Sequence, residues 1–482
     1  MSNNMRTRLA FTVCLLAVAT SLFAQPPDRS KPPVPGPAPA LTLPRIQKQT
    51  LSNGLQVWLV ERHEVPVAQV DLVVMSGTTD DPTGKFGVAS LTAAMLMEGA
   101  GGRSSLELAD AIDFLGADLN ASATSDISTV RLHTPVARLG EALPLMADVA
   151  LRPAFAPADL DRVRQQRLTS IVQSRDDPNS IGALAFAHVL YGTANRLGTA
   201  TIGTAQSLRT LTADDLRAYY AARFRPDNAT LVVVGDVTTA AVLPLLEKSF
   251  GTWKVPAGPA RTKQPAPPQR TKREIYLVDK PNSPQSQIRI GTVGVARSTP
   301  DFFPIEVMNT VFGGSFSSRL NLNLRETHGY TYGAQSFFDM RLDAGPFTAF
   351  AGVQTDKTAD ALKEFFNELA AILQPISAEE LSRGKNYLSL ALPADFETSG
   401  DVARRLEEAL IYHLPDDFFS RYVANVNAVT TADAQRAART YVQPDRVAIV
   451  IVGDRKSIEA PIRALNLGPI NILTIDDVFG PF

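Results

Sequence analysis

The order of hydrophobic and polar residues predicts a chain in which strands and helices are mixed. TLSNGLQVWLVER combines strand-forming residues with the turn Asn53-Gly54, and VAQVDLVVMSG follows as a second strand. GKFGVASLTAAMLMEGA, Gly84 to Ala100, then predicts a helix that is apolar on nearly all sides. Amphipathic segments such as SLELADAIDFLGA and a buried strand in ATLVVVGD come after it. This order of elements predicts an α+β fold.

The same pattern returns in the second half of the chain. LTADDLRAYYAARFRPDNATLVVVGD begins at Leu211 and VTTADAQRAARTYVQPDRVAIVIVGD at Val429, and their aligned residues, such as Thr212 and Thr430, lie 218 positions apart. In each copy Thr-x-x-Asp starts a helix that leads to a Pro-Asp turn and a buried strand. We therefore expect two homologous domains from a tandem duplication, each a mostly antiparallel sheet packed with helices.

Two proline-rich segments set the expected domain boundaries. Residues 25–44 hold eight prolines, which predicts an extended leader without a core. KVPAGPARTKQPAPPQRTKR, residues 254–273, predicts a linker between the domains. The expected domains are therefore an N-terminal one at 45–253 and a C-terminal one at 274–482.

The first 24 residues are typical of a secretion signal. Arg6 and Arg8 precede an apolar run that ends at Ala24, so residues 1–24 predict export to the periplasm. An uncleaved signal would instead anchor the chain in a membrane. The single cysteine, Cys14, lies inside this run, so the mature chain would have no disulfide, no catalytic thiol and no thiolate zinc site.

Composition excludes further classes of function. The chain has 482 residues, 45% hydrophobic and 20% charged, with a formal net charge of -2, so nucleic acid is not an expected partner.

The single residues with metal-binding or catalytic chemistry form no recognisable site. No two of the histidines lie three or four positions apart; they are His63, His133, His188, His328 and His413. Glu98 fits an ordinary charge at a helix end, and Ser90 lacks the neighbouring glycines of a nucleophile elbow.

The second half holds a more informative stretch, VFGGSFSSRLNLNLRETHGYTYGAQSFF, Val311 to Phe338. The spacing predicts a helix that runs through Arg325 and ends at Gly329, followed by a strand that begins at Tyr330. Tyr330 and Tyr332 would then share one face of that strand. An arginine in a last helical turn and two strand aromatics also fit a purely structural role.

These motifs resemble the pitrilysin or insulinase family of zinc peptidases, in its bacterial branch similar to the mitochondrial processing peptidase. The resemblance covers nearly all of the mature chain and rests on LSNGLQVWLVE, on the Gly84 to Ala100 helix and on GGSFSSRLNLNLRE followed by GYTYGA. In active members that helix carries H-x-x-E-H, which binds zinc and activates water. Here Ser90, Ala93 and Ala94 take those positions, so the resemblance implies no catalytic residue and no metal in this chain.

At the other family positions the chain lacks the metal ligand but keeps the residues that bind substrate. The family's third zinc ligand is a glutamate about 75 residues downstream, where this chain has only Thr169, Ser170 and Ile171. In contrast, Arg325 and Tyr332 match the arginine and tyrosine with which the family binds the substrate backbone and holds the tetrahedral intermediate. The resemblance thus implies a substrate-binding chain without its own metal.

We expect a non-catalytic subunit of an exported, heterodimeric zinc endopeptidase. Its partner would be a homologous subunit with H-x-x-E-H and the zinc cofactor, and the two chains would form a clam-shell that admits unfolded peptides. Two alternatives stay open. One is a stand-alone peptide-binding or chaperone-like module, and the other is a structural subunit of a membrane complex similar to the core proteins of respiratory complexes.

Overall fold

The computed structural model describes residues 45–268 and 270–481, in two six-stranded sheets with helices on their faces. The strands are β1 (Gln47–Thr50), β2 (Gln56–Glu61), β3 (Val67–Val74), β4 (Asp118–Ala123), β5 (Ser128–Pro135), β6 (Ala229–Gly235), β7 (Glu274–Asp279), β8 (Gln285–Val293), β9 (Thr331–Phe338), β10 (Pro346–Gln354), β11 (Ala448–Gly453) and β12 (Ile470–Leu473). The signal and leader expected at 1–24 and 25–44 lie outside the described residues. Within those residues, no helix has the length and apolar character that crossing a bilayer requires.

The helices lie between the strands in the expected alternation. They are α1 (Val88–Leu96), α2 (Ser105–Phe114), α3 (Leu139–Leu151), α4 (Pro157–Asp176), α5 (Pro178–Tyr191), α6 (Ala205–Thr210), α7 (Ala213–Arg223), α8 (Thr239–Phe250), α9 (Phe302–Phe312), α10 (Arg319–Asn321), α11 (Thr358–Ala371), α12 (Ala378–Ala391), α13 (Ser399–Ile411), α14 (Tyr422–Ala428), α15 (Thr431–Tyr441), α16 (Arg455–Ala464) and α17 (Ile475–Phe479). A π-helical turn, Leu322–Thr327, continues α10.

Local sequence signals explain several of these boundaries. At the predicted Asn53-Gly54 turn, the Asn53 side chain accepts a hydrogen bond from the Leu55 amide at 3.1 Å, and the strands on its two sides, β1 and β2, pair antiparallel. Thr212 and Asp215 form the predicted reciprocal cap of α7, and Thr430 and Asp433 do the same for α15. Each cap satisfies amide groups that the first helical turn leaves without partners.

The two sheets confirm the expected duplication and fold class. The first sheet has the order β1-β2-β6-β3-β5-β4 and the second β12-β7-β11-β8-β10-β9. Strands β7 and β8 begin at Glu274 and Gln285, each 218 positions after the starts of β2 at Gln56 and β3 at Val67. Most strand pairs are antiparallel, and both sheets have a corresponding parallel pair, β2-β6 and β7-β11. The second sheet has a further parallel pair at its edge, β7-β12, where the first has the antiparallel pair β1-β2. The structure is therefore a duplicated α+β domain with mixed, mostly antiparallel sheets.

Each sheet is covered on one face by a helix from the other half of the chain. Helix α5 of the first half packs on β8 and β11, where Ile181 and Phe186 join a core with Val450 and Val452. Helix α13 of the second half packs on β3 and β6. Its Leu406 joins a second core, together with residues of β2, β3 and β6. Because a buried Leu or Ile side chain stabilises a fold by roughly 1.5–3 kcal/mol, this exchange joins the two halves firmly.

The proline-rich segment between the halves contains no helix or strand in its described part, but it is held by hydrogen bonds. Arg261 donates to Asp126 of the first half at 2.8 Å and to Asp343 of the second half at 2.9 Å. The Thr262 amide donates to Asp80 at 2.7 Å, and Gln264 donates to the Thr79 carbonyl at 2.6 Å. This segment therefore crosses the junction as an ordered strap.

A buried ionic cluster lies under α13. Arg131 of β5 donates to the two carboxylate oxygens of Glu407 at 2.7 and 3.3 Å, and its Nε lies 3.8 Å from Asp71 of β3. Asp71 and Glu407 are 1% and 5% exposed, so one guanidinium serves two carboxyl groups away from water. Burial and the neighbouring Glu407 raise the pKa of Asp71 well above its usual range. The cluster joins the first sheet to a helix of the second half.

We expect Arg131→Met to lower the free energy of unfolding by about 3 kcal/mol, because it leaves two buried carboxyl groups without their cation. Arg138→Met is the matched control, since Arg138 and its partner Glu141 have side chains that are 46% and 57% exposed, and it should cost less than about 1 kcal/mol. Urea unfolding of both variants measures the difference. Equal losses would contradict a structural role for the cluster.

Candidate functional site

Helix α1, where the resemblance places the metal motif, is fixed at its N-terminus by a buried carboxylate. Asp81 accepts hydrogen bonds from the amides of Gly87 at 2.6 Å and Ala89 at 2.9 Å, and Arg196 donates to it at 2.8 Å. The side chains of Asp81 and Arg196 are 0% and 2% exposed. Gly87 has a φ of 95°, a left-handed conformation that favours glycine. The start of α1 is thus held by packing and charge within the chain.

The hydroxyl and the carbonyl of Ser90 are both hydrogen-bonded within the protein. Arg167 of α4 donates to the Ser90 hydroxyl oxygen at 2.8 Å and to the Ser90 carbonyl at 2.6 Å. The hydroxyl itself donates to the carbonyl of Thr201 at 2.9 Å. Burial lowers the pKa of Arg167 to about 10, so its guanidinium is still charged at neutral pH. A cation of the chain therefore lies beside the position of the family's first zinc ligand.

The other positions implied by the resemblance offer no metal ligand. Ala93 is buried and Ala94 partly buried, and neither has a side-chain donor atom. Thr169 and Ser170 donate to carbonyls of their own helix, those of Gln165 at 3.0 Å and Gln166 at 3.1 Å, and Ile171 is buried. Across residues 45–268 and 270–481, no three His, Cys, Asp or Glu side chains come together as a metal site would require. The residues at this helix do not fit zinc.

Glu98, His63 and His133 each contact another side chain of the first half. Glu98 is ion-paired with Arg162, as expected for a charge at a helix end. His63 lies 2.7 Å from Asp236, which raises its pKa through their hydrogen bond, and His133 lies 3.1 Å from Gln69. These histidines lie on different elements and do not converge on α1.

The second-half motif has a different character, because Phe316, Leu322 and Tyr332 are exposed and Arg325 is partly exposed. Arg325 lies in the π-helical turn, with its guanidinium carbon 4.4 Å above the ring centre of Phe316 and its Nε 3.4 Å from Glu326. Tyr332 of β9 is 90% exposed, and its hydroxyl has no hydrogen-bond partner among the described residues. Phe316 and Leu322 are also exposed, at 66% and 42%. Together, Phe316, Leu322, Arg325 and Tyr332 form what we call the arginine–tyrosine face.

Hydrogen bonds join β9 to α10 and the π-helical turn that continues it, the elements that carry most of this face. The Tyr330 amide donates to the Leu324 carbonyl at 2.9 Å, and the Asn321 side chain accepts from the Ala334 amide at 3.1 Å. A strand beside a helical turn is thereby held in register with it. Arg325 and Tyr332 thus lie on two adjoining elements, and a guanidinium and a phenol both suit binding to a carbonyl or an oxyanion.

The strand begins one residue later than predicted, which separates the two tyrosines. β9 starts at Thr331, whereas Tyr330 lies before it and its ring stacks on His328 with 5.0 Å between ring centres. Tyr330 packs against the core of the second half, while Tyr332 is exposed. The expectation that both rings share one face of the strand is therefore wrong, because the hydrogen bond to Leu324 holds Tyr330 against the preceding turn.

Two sequence profiles of one peptidase family match the chain. The profile described as insulinase, peptidase family M16, matches residues 56–204, and the profile described as peptidase M16 inactive domain matches residues 210–388. The chain belongs to the M16 family. The prediction of a pitrilysin or insulinase-type fold is confirmed.

Known proteins similar to this M16 chain agree with that assignment. An uncharacterized zinc protease of Streptomyces coelicolor is 25% identical over 86% of this chain and 91% of its own length. A crystal structure of a peptidase M16 inactive domain from Pseudomonas fluorescens has 27% identity and a TM-score of 0.78, covering 85% of this chain and 98% of that one. A chain of complex III2 from Candida albicans, at 18% identity and a TM-score of 0.71, covers 87% of this chain and 99% of that one, and shows the fold alone.

We expect Ser90→Ala to lower the free energy of unfolding by about 1–2 kcal/mol, because Arg167 and the Thr201 carbonyl each lose a buried hydrogen-bond partner. Ser170→Ala is the control, since the exposed Ser170 bonds only within its helix, and it should stay within about 0.5 kcal/mol. Thermal unfolding measures both. If Ser90→Ala costs no more than Ser170→Ala, the account of Ser90 as a packing residue is wrong.

Proposed function

We propose that this M16 chain is the non-catalytic, substrate-binding subunit of an exported heterodimeric zinc endopeptidase that degrades or processes unfolded peptides. One contrast carries the proposal. The Ser90 side chain on the metal-motif helix is bound within the protein by Arg167 and Thr201, whereas the Tyr332 side chain is exposed and that of Arg325 is partly exposed, at 34%. A chain that keeps only the substrate-binding part of a site needs a second chain for the metal.

The side chains at α1 support a zinc site that lies in another chain. A serine hydroxyl already bound to Arg167 and two alanines supply neither a metal ligand nor a base. The buried positive charge of Arg167 would also repel a divalent cation at this helix. The zinc and the H-x-x-E-H motif would therefore belong to a homologous partner subunit.

The arginine–tyrosine face supports a role in substrate binding. A guanidinium and a phenol both donate hydrogen bonds without acting as nucleophiles, so they bind a peptide carbonyl and stabilise negative charge that develops on it. Phe316 lies under the guanidinium of Arg325 and restricts its position. Exposed Phe, Leu and Tyr side chains beside these donors are typical of a surface that binds a peptide or another chain.

Export and the pairing of two homologous chains belong to the same proposal. Export rests on the signal-like residues 1–24 of the sequence. The main alternative is a stand-alone peptide-binding module, which the same exposed face would also suit. The two differ in one result, because a stand-alone module binds peptide without increasing the turnover of any partner.

We expect Arg325→Ala or Tyr332→Phe to lower the turnover of the two-chain enzyme by about 10²- to 10³-fold, the usual loss when an oxyanion donor is removed. The matched control is Tyr387→Phe, since Tyr387 is also exposed, at 49%, but lies on α12. Steady-state cleavage of a fluorogenic peptide by this chain mixed with an H-x-x-E-H homologue measures all three. Full turnover with both face variants would contradict the proposed role.

Phe316→Ala should lower the same turnover by roughly 10-fold while leaving thermal unfolding unchanged, because it frees the Arg325 guanidinium without removing its charge. Phe114→Ala is the control, since Phe114 is also exposed, at 77%, and lies under an arginine, Arg138, in the first half. Phe316→Tyr should retain most of the activity. Equal effects of Phe316→Ala and Phe114→Ala would show that Phe316 does not position Arg325.

A further inference from the structure

A cavity in the second half lies outside the arginine–tyrosine face. It has a volume of about 420 Å³ and is bounded by α9, the end of β9, α12 and α13. This volume is within the range of small-molecule sites and far above that of a single water. Part of its wall is apolar, formed by Phe338, Met340, Leu388 and Leu392. The cavity can therefore hold an organic molecule with an apolar part.

Most charges at this cavity already balance one another. Glu408 accepts hydrogen bonds from Arg405 at 2.6 Å and from Arg297 at 3.2 Å, and Arg405 is also paired with Asp395. Two guanidinium groups thus meet two carboxylates. Asp339, also in the wall, is paired with Arg341. These pairs leave no excess charge.

Glu306 is the exception. It projects from α9 into the cavity, and its carboxyl group has no hydrogen-bond or ion-pair partner among the described residues. Burial raises its pKa to about 7, with Glu408 adding to the shift and Arg297 opposing it. One carboxyl group in a lined cavity is thus left without the counter-charge that its neighbours have, and this calls for a bound proton or a bound cation.

The aromatic wall favours a cation. The guanidinium of Arg297 lies 3.6 Å from the ring centre of Phe302, so a ring of the wall already stabilises a positive charge. Tyr412 and Tyr422 also line the cavity, and neither hydroxyl has a hydrogen-bond partner in the described part of the chain. Two phenol oxygens and one carboxyl group are thus free to accept hydrogen bonds from an ammonium group.

We propose that this cavity binds an alkylammonium ion, with its charged head on Glu306, Tyr412 and Tyr422 and its apolar stem against Phe338 and Leu388. Such a group comes from a free aliphatic amine or from a lysine side chain of a peptide, and both sources share this chemistry. The site is independent of Arg325 and Tyr332, so its existence does not depend on the endopeptidase assignment.

The test is isothermal titration calorimetry on the full mature chain at pH 8, with n-butylamine and with lysine capped at both termini. We expect saturable one-to-one binding of at least one of them and none of n-butanol, which has the same stem without the charge. Binding of n-butylamine alone identifies a free amine as the ligand class, whereas binding of capped lysine identifies a peptide side chain. Absence of saturable binding by both amines overturns the proposal.

Glu306→Gln keeps the shape of the side chain and removes its charge, so we expect at least a tenfold loss of amine affinity. Glu379→Gln is the control, since Glu379 is exposed on α12 and paired with Arg383, and it should bind like the wild type. Thermal unfolding checks that both variants fold. Tyr422→Phe removes one hydrogen-bond acceptor without altering the charge of the cavity, and we expect it to lower the amine affinity by a few-fold. Unchanged affinity in Glu306→Gln overturns the proposal.

The pH dependence gives an independent reading. The cation binds the ionised form of Glu306, so affinity should be constant between about pH 8 and pH 9, where the amine keeps its proton, and should fall by about tenfold per unit well below pH 7. Burial raises the pKa of Tyr412 to about 12 and that of Tyr422 further, so neither tyrosine titrates in this range. Near pH 7 binding should release about half a proton, measured in two buffers of different ionisation enthalpy. Proton release that persists in Glu306→Gln would contradict the site.

Discussion

The exchange of helices between the two halves is the constraint on which the rest of this structure depends. Neither six-stranded sheet buries both of its faces with its own half, and α5 and α13 each cover the sheet of the other. Separating the halves would expose two apolar cores and the ionic cluster of Arg131. The arginine–tyrosine face therefore has a fixed position relative to the first half. The strap around Arg261 is hydrogen-bonded to both halves across the same junction.

The duplication also explains how one helix is retained without its chemistry. Both halves place a largely buried helix against the sheet, α1 in the first and α9 in the second. In α1 the Ser90 side chain is hydrogen-bonded to Arg167 and Thr201, and the Asp81–Arg196 pair holds the start of the helix, so α1 is stabilised by contacts within the chain. In α9 the same architecture carries Glu306 at a cavity wall. Similar backbones thus support a closed packing site in one half and an open, charged one in the other.

Local signals in the sequence were sufficient for much of the fold. The Asn53-Gly54 turn, the capping pairs of α7 and α15 and the 218-residue offset depend on residues close in sequence or on direct repetition, and the structure has all of them. The family resemblance indicated Ser90 as the first position of the metal motif, and Arg325 and Tyr332 as the substrate-binding residues. The helix exchange was not predictable from composition, because an apolar helix face does not indicate which sheet will cover it.

Long-range contacts account for what the sequence did not reveal. Arg167 meets Ser90 across 77 positions, and nothing in its own segment indicates that contact. The π-helical turn packs beside β9. The stacking of Arg325 on Phe316 and the packing of the Tyr330 ring against the core depend on that contact. Glu306 looks like an ordinary helical glutamate in the sequence. Only the surrounding α12 and α13 turn it into an unpaired group at a cavity.

We propose that this chain completes an active site carried by another subunit. The most direct measurement is a titration of a fixed amount of an H-x-x-E-H homologue from the same genome with this chain, following peptide cleavage and bound zinc. The account predicts no cleavage and no stoichiometric zinc with this chain alone, and activity that rises to a plateau at one chain per partner. Cleavage by this chain alone with bound zinc, or partner activity that does not respond to it, would contradict the account.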